Sequence, residues 1–507
     1  MTIFNTISST TDRLALAAVC LSAVMLGLEI TSIPSILPTL EHRLPADFKQ
    51  LQWVMNAYTL AMCATLIATG ALADRYGRKR VFLYSIVVFG LASLICGLAN
   101  SASLLIGARF IQGLSAAGML SCQVAILSAQ FHSGRVRSVA FAWWGVIFGL
   151  GLGFGPLVGG VIVAFMSWPW VFLIHVGIAL LTAVLAYLGV SESSDPSATK
   201  MDVGGMLTLP VGVFGLVYLM TQGRGLGLAD PEVWAVALLS LLGLSLFVCI
   251  ERRVARPIFD FTSFRIRAFS GALMGASGMN FSFWPFIIYF PIYLQSVLGY
   301  SSLMAGVTLL AYTLPTVLMP PYAERLLLKY GPSGVIPLGL LSIAAGFGCL
   351  YWVMQSASAS WLTLLPGCVL AGIGLGLTNT PVTNTSSGAL APERAGMASG
   401  MEFSARMISL SINIAVMGWL LAAGIAASLT MTSAHSLSAP ELKALVDVIA
   451  AGNVAAATES GLSAQAVRDT LAFGFGWVTL YGALAPLVLG LLARLVFGGA
   501  VAKTPGL

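Results

Sequence analysis

An all-α membrane protein is the fold class this sequence predicts, and three observations carry the prediction. Of the 507 residues, 58% are hydrophobic and only 9% are Asp, Glu, Lys or Arg, whereas soluble domains carry about 25% charged residues. The apolar residues fall in long unbroken runs near the ~20 residues that a helix needs to cross a bilayer. A β-barrel would instead alternate polar and apolar in ~10-residue segments. The 54 Gly and 22 Pro complete the pattern, because both are frequent in membrane helices that pack closely and bend.

Fourteen candidate spans follow along the chain. The first, 14–38, encloses a single carboxylate, Glu29. A charge there costs at least ~2.5–3.5 kcal/mol on insertion scales, so a chain that keeps one usually uses it. The second span, 51–72, runs into a short basic loop and the third, 81–99, leaves it. The fourth, 103–128, holds Arg109, and the fifth, 138–165, has glycines four apart in two rows: Gly145, Gly149, Gly153 and Gly151, Gly155, Gly159. Such rows let helices approach closely, and Pro156 supplies a bend. The sixth, 168–190, contains His175, read as a hydrogen-bonded structural residue rather than a relay. The seventh and eighth are 203–221 and 232–250; the ninth, 269–296, is rich in aromatics. The rest are 302–322, 333–354, 361–385, 396–428 and 470–497. The thirteenth of these carries Glu402 with Arg406 four residues on, either a local structural pair or a second coupling site.

An even number of spans puts both termini on one side. With that side taken as the cytoplasm, 18 of the 25 Lys and Arg lie in inner segments, five in outer ones, and Arg109 and Arg406 within spans. The asymmetry fixes a multi-pass orientation in a bacterial inner membrane with cytoplasmic termini. It also accounts for the net charge of +6 without a nucleic-acid partner. The first run is too long for a leader's apolar region and contains an acid, so no signal peptide is expected. The seven cysteines sit inside apolar runs with no C-x-x-C, which excludes a zinc signature or a disulfide framework. Residues 251–268 mix Arg with Phe and Ile, as an interfacial segment or an ordinary basic loop would. The long outer loop 430–469 is expected to form one or two short helices through LKALVDVIAA, as a lid or a passive connector.

The two halves read as a degraded repeat. KYGPSG (329–334) matches RYGRKR (75–80) at an offset of 254, and LLPGCV (364–369) matches LLIGAR (104–109) at an offset of 260. The expected domains are a six-helix bundle over 1–192, two additional helices with linkers over 193–268, and a second six-helix bundle over 269–507. Repeated halves around a midplane site are the sequence sign of a rocking secondary transporter.

The loop GALADRYGRKR (70–80) combines Gly70 and Gly77, which permit close approach and a turn, with Asp74 and the cations Arg75, Arg78, Lys79 and Arg80. Asp74 is placed to cap the positive N-terminus of a neighbouring helix. This string resembles the signature loop of the major facilitator superfamily. ARFIQGLSAAG (108–118) resembles that family's fourth-span pattern, whose Arg is associated with proton coupling. GLGLGFGPLVGG (149–160) is similar to the fifth-span antiporter motif, here Gly151, Gly155, Pro156, Gly159 and Gly160. LEITSIPSILPTL (28–40) resembles the first span of the fourteen-span drug/proton antiporters, with downstream matches at 289–306, 372–381 and 396–406. Four departures stand out. Glu29 replaces the usual Asp, and Pro34-Ser35-Ile36 replaces Asn-Val-Ala. No Asp or Glu occurs between Asp74 and Glu192, so Gln130 stands where an acid often ends the fourth span. Ser409 and Ser411 stand where the thirteenth span often has glycines.

Depth then pairs the charges. Arg109 lies ~9 Å and Glu29 ~14 Å below the outer ends of their spans at 1.5 Å per residue, so each is the other's most economical partner, directly or through Gln112. A carboxylate shared by an Arg, a proton and an incoming cation acts as a switch. Glu29, Arg109 and Glu402 are the expected proton-coupling residues. Trp53, Asn56, Tyr58 and Gln112, with Phe281, Trp284 and Tyr289, are the expected cavity wall with Glu29. Aromatic faces hold cations by ~0.5–2 kcal/mol each, although aromatics in spans also simply pack or face lipid.

These features imply a proton-coupled exporter of lipophilic cations such as quaternary ammonium biocides and dyes, acting in the bilayer as a monomer without cofactor or metal. A periplasmic adaptor is left open as a partner. A carrier of a neutral or anionic metabolite and a non-transporting membrane sensor are the alternatives. Enzymatic activity has no support, since no phosphate-binding loop, metal cluster or nucleophile triad is present.

Overall fold

The computed structural model describes residues 9–131, 134–194, 202–226, 230–254, 257, 261–356, 359–390, 395–432 and 438–498. Among these the chain is helical, with a short 3-10 turn, a π turn and no strand. Ten helices are long and apolar enough to cross a membrane, and Val203–Leu216 and Ser302–Leu318 are shorter apolar stretches. The chain divides into two compact units, one of Met1–Ile33, Trp53–Gly215 and Ala237–Ile258, the other of Pro34–Gln52, Leu216–Val236 and Phe259–Leu507.

The described part of the chain begins with α1 (Thr10–Ser35), whose last turn contains Pro34. The chain breaks at Ile36 and restarts as the short α2 (Leu37–Arg43), which belongs to the second unit. Then come α3 (Phe48–Tyr76), α4 (Arg78–Gly97), α5 (Ala102–Gln130), α6 (Gly134–Phe165), α7 (Pro169–Gly189), α8 (Val203–Leu226) and α9 (Pro231–Glu251). The turn from α3 to α4 needs Gly77, whose φ of +111° is open only to residues without a Cβ penalty. Its counterpart 254 residues on, Gly331, also has positive φ (+69°) and also precedes a helix.

At this turn a carboxylate that the sequence did not single out takes part. Glu192, just past α7, accepts from the Lys79 backbone N–H at 3.1 Å and lies 3.7 Å from Arg80 Nε. It thus occupies the positive N-terminus of α4. The side chain of Asp74, to which sequence gave that role, lies outside the described ones. Gln130 ties three segments instead of acting as an acid: its amide donates to Asp12 Oδ1 and Gly189 O, both at 3.0 Å, and accepts from Ser191 N–H at 3.3 Å. The hairpin of α8 and α9 is close-packed, with Ser240 Oγ donating to Gly212 O at 2.6 Å.

In the second unit the predicted ninth span is not one helix. It consists of α10 (Arg267–Asn280), α11 (Phe283–Ile292) and a π turn (Tyr293–Val297). Pro285 explains the break: it has no N–H for the Phe281 carbonyl, so the ladder cannot run through. Next come α12 (Ser302–Leu318), α13 (Pro320–Tyr330), α14 (Pro332–Met354), α15 (Trp361–Gly388) and α16 (Ala395–Thr432). The loop beyond α16 holds α17 (Ala439–Ala450) and α18 (Val454–Thr458), and α19 (Ala464–Phe497) ends the fold. Ser301, Ser360 and Ser463 cap α12, α15 and α19 by accepting from backbone N–H groups. An aromatic core joins α11, α12 and α14: Phe283 stacks on Tyr312 at 4.0 Å and Phe286 meets Phe347 edge-on at 5.0 Å. Of segment 251–268, residues 255–256 and 258–260 lie outside the described residues, and Phe261–Arg265 forms the 3-10 turn.

Candidate functional site

Glu29 and Arg109 meet in the first unit, both fully buried. Arg109 Nη1 donates to Glu29 Oε1 and, at 2.7 Å, to Gln112 Oε1. Its Nε donates to the Val54 carbonyl at 3.0 Å, and its guanidinium lies 4.3 Å from the centre of the Tyr58 ring. Gln112 in turn donates to Ser93 Oγ at 2.9 Å, and Ser93 Oγ donates to Phe89 O at 2.7 Å. A planar fork with five donors suits this task, which the point charge of a lysine does not. The guanidinium is anchored by a carbonyl, an amide and a ring before its carboxylate partner is counted.

Glycines bring these elements together. A Cβ on Gly113 of α5 would stand 2.2 Å from the Tyr58 carbonyl oxygen of α3. The glycine rows of α6 do the same for α1. A Cβ on Gly151 would stand 2.9 Å from Val24 O, and one on Gly155 1.9 Å from Thr31 Oγ1. Thr31 Oγ1 donates to Gly27 O at 3.0 Å, across the turn that carries Glu29. So α6 clamps α1 on either side of the carboxylate, while Pro156, Gly159 and Gly160 continue the buried face. Gly70, on the same unit's signature loop, has only ordinary contacts with Ser121, and Arg75 and Arg78 are exposed and half-buried.

The other half of the site is unbonded. Among buried polar atoms, Glu29 Oε2, Asn56 Oδ1 and Nδ2, Tyr58 Oη, Arg109 Nη2 and His175 Nε2 make no hydrogen bond. Each such atom costs about 1–3 kcal/mol if left without a partner. His175 has the structural bond expected of it, Nδ1 with Val171 O at 3.1 Å. The same nitrogen lies 3.4 Å from Glu29 Oε2, which its sequence position alone did not disclose. Ser93 and the Val54 carbonyl also escaped the sequence reading, since neither carries a signal apart from the fold. Trp53, on α3, is half-buried.

The remaining predicted residues lie in the second unit. Glu402 pairs with Arg406 Nε on α16, and Arg406 also donates to Asn379 Oδ1 and, at 3.0 Å, to Thr383 Oγ1. Phe281 stacks on Tyr481 at 6.4 Å, and Trp284 meets Phe283 edge-on at 5.5 Å. Tyr289 is sealed in at 1% exposure: its hydroxyl accepts from Gln52 Nε2 at 3.0 Å and donates to Ile414 O, so packing takes up both ends of it.

Comparison with known proteins gives a consistent picture. The family model described as Major Facilitator Superfamily matches residues 19–414. The multidrug resistance protein Stp of Mycobacterium tuberculosis is 31% identical over 419 residues, covering 83% of this chain and 78% of that one. The tetracenomycin C resistance and export protein of Streptomyces glaucescens is 28% identical over 489 residues, covering 93% and 89%. Among solved structures, the nucleoside transporter NupG aligns with a TM-score of 0.62 at 12% identity, over 96% of this chain and 100% of that one. A bacterial homologue of the human lysosomal transporter Spinster aligns with a TM-score of 0.62 at 16% identity, over 97% and 98%.

Proposed function

This chain belongs to the major facilitator superfamily, a multi-pass membrane transporter and not an enzyme, and from that premise we propose that it exports lipophilic cations in exchange for protons. The observation that carries the proposal is the buried Glu29–Arg109 pair with one carboxylate oxygen unbonded. Oε1 is committed to the guanidinium; Oε2 is the atom for which a proton and a cationic cargo compete. When a cation displaces the proton, the charge of the site changes, and the two conformations of the carrier change in relative free energy by the difference. Relatives named for multidrug resistance and for drug export support the outward direction. The reading includes fourteen spans in two six-helix bundles with α8 and α9 as the additional pair, cytoplasmic termini in a bacterial inner membrane, and Trp53, Asn56, Tyr58, Phe281 and Trp284 as cargo-contacting side chains.

The purified protein in liposomes with an imposed pH gradient tests this. Accumulation of a cationic dye should follow the gradient and should collapse in Glu29→Gln. A second reading draws on the unbonded Arg109 Nη2, a donor fit for an anionic or neutral cargo. In that case Glu29→Gln keeps its flux and no cationic dye moves.

A further inference from the structure

His175 sits on α7 at 1% exposure, beside the carboxylate just described. Its Nδ1 lies between two acceptors, the Val171 carbonyl at 3.1 Å and Glu29 Oε2 at 3.4 Å. A nitrogen facing two acceptors carries the hydrogen, so the neutral ring is the Nδ1–H tautomer and Nε2 holds the lone pair. That lone pair is buried and bonded to nothing. Glu29 on α1 is the titratable group that faces the ring; Arg109 on α5 pairs with that same carboxylate, Tyr58 on α3 and Cys96 on α4 feel the charges of both, and Phe89 meets the imidazole edge-on with ring centres 5.9 Å apart. Of these side-chain types, imidazole is the one whose charge ordinarily changes between about pH 5 and pH 8.

We propose that His175 is a second proton-binding residue of the coupling site, taking its proton at Nε2 and presenting Nδ1–H to Glu29. The proposal rests on Glu29 being the coupling carboxylate. A proton arriving from solvent bonds to Nε2, and Nδ1 keeps its own, so the ring becomes an imidazolium 3.4 Å from Oε2. Glu29 is then held between two cations, Arg109 on Oε1 and His175 on Oε2, and is closed to cargo. When the Nε2 proton returns to solvent, the imidazole is neutral and Oε2 is released to an incoming cation. Protons and cargo therefore compete for Glu29 through a neighbour, even while the carboxylate itself stays ionised. Phe89 and the Val171 carbonyl fix the ring plane, so the Nδ1–H direction does not wander between the two states.

Two measurements on the full chain in lipid nanodiscs decide it. The first needs no cargo: nitrogen NMR of protein labelled at histidine, with the His175 signals identified by their loss in His175→Gln. Wild type should show the Nδ1–H tautomer at high pH and a doubly protonated ring at low pH, with a midpoint that moves when Glu29 is replaced by Gln. A ring that stays neutral from pH 5 to pH 8, on the order of the window where histidine titrates, or a midpoint indifferent to Glu29, overturns the proposal. The second is binding of tetraphenylphosphonium against pH. A single competing proton weakens binding by about tenfold per pH unit below its midpoint. His175→Gln keeps a donor but cannot titrate, so its binding should lose part of that slope. An unchanged slope counts against His175. Should wild type bind no cation while the NMR titration behaves as expected, the exporter reading fails and the proton site stands.

Discussion

At the scale of the residue, Arg109 shows how a charge is made tolerable where water is scarce. Removing one partner of a buried pair typically costs about 3–5 kcal/mol, because the other charge is left uncompensated. Here Val54 O, Gln112 Oε1 and the Tyr58 face remain when Glu29 is neutralised. Glu29→Gln should therefore give folded, membrane-inserted protein without flux, whereas Arg109→Ala should lower the yield of folded protein as well. Arg109→Lys is the sharper variant. It keeps the charge but cannot serve the carbonyl, the carboxylate and the amide together, so efflux should fall at least tenfold, about 1.4 kcal/mol, with a modest drop in melting temperature. Resistance assays and thermal shift in detergent read the two effects separately.

At the scale of the element, small residues and special turns set the geometry. Gly155→Val would push a branched side chain into Thr31, where a Cβ alone has 1.9 Å. The α1–α6 contact should open, and liposomes carrying that variant should leak protons without cargo. Gly77→Ala meets both a φ of +111° and the Glu192 carboxylate 2.6 Å from its Cβ, so it should destabilise by about 1–2 kcal/mol. Outside the spans, the Ser438 N–H and hydroxyl donate to Glu441 at the start of α17 and hold its carboxyl below the usual range. The sign follows: the folded pKa lies below the unfolded one, so the contribution is present above the ordinary value of about 4.3. It is lost as pH falls through the folded value. Measured against the intrinsic exchange rate, protection in the first turn of α17 should fall on acidification, and Ser438→Ala should remove that dependence.

At the scale of the whole molecule, orientation is testable by labelling. A cysteine replacing Lys443 should react with an impermeant maleimide added to intact cells, and one replacing Arg80 should not. Much of this plan was legible in the chain. Apolar run length gave helices, and scarcity of acids made Glu29 the one economical partner for Arg109; the topology read from the census of Lys and Arg is what the labelling tests. The repeat offset of 254 found the glycine turn at both Gly77 and Gly331. What escaped has a common physical cause: it depends on which faces meet. The break after Asn280 hinges on one missing N–H at Pro285 inside a run that hydropathy reads as continuous. Glu192 reaches Lys79 across 113 residues, and His175 reaches Glu29 across a helix contact that no periodicity reveals. The partners of the Tyr289 hydroxyl, Gln52 and Ile414 O, were likewise invisible, because sequence cannot say where a hydroxyl points.

Because Val54, Gln112 and Tyr58 keep the guanidinium in place whatever Glu29 does, its positive charge is a fixture and only protons and cargo alter the electrical total. One proton traded for one monovalent cation leaves the cycle electrically silent, driven by acidity alone. A second proton, lodged on the imidazole, would make each turn move net charge inward and let the membrane voltage contribute about 2.3 kcal/mol per 100 mV. The sign and size of the current across a planar bilayer would then count the protons.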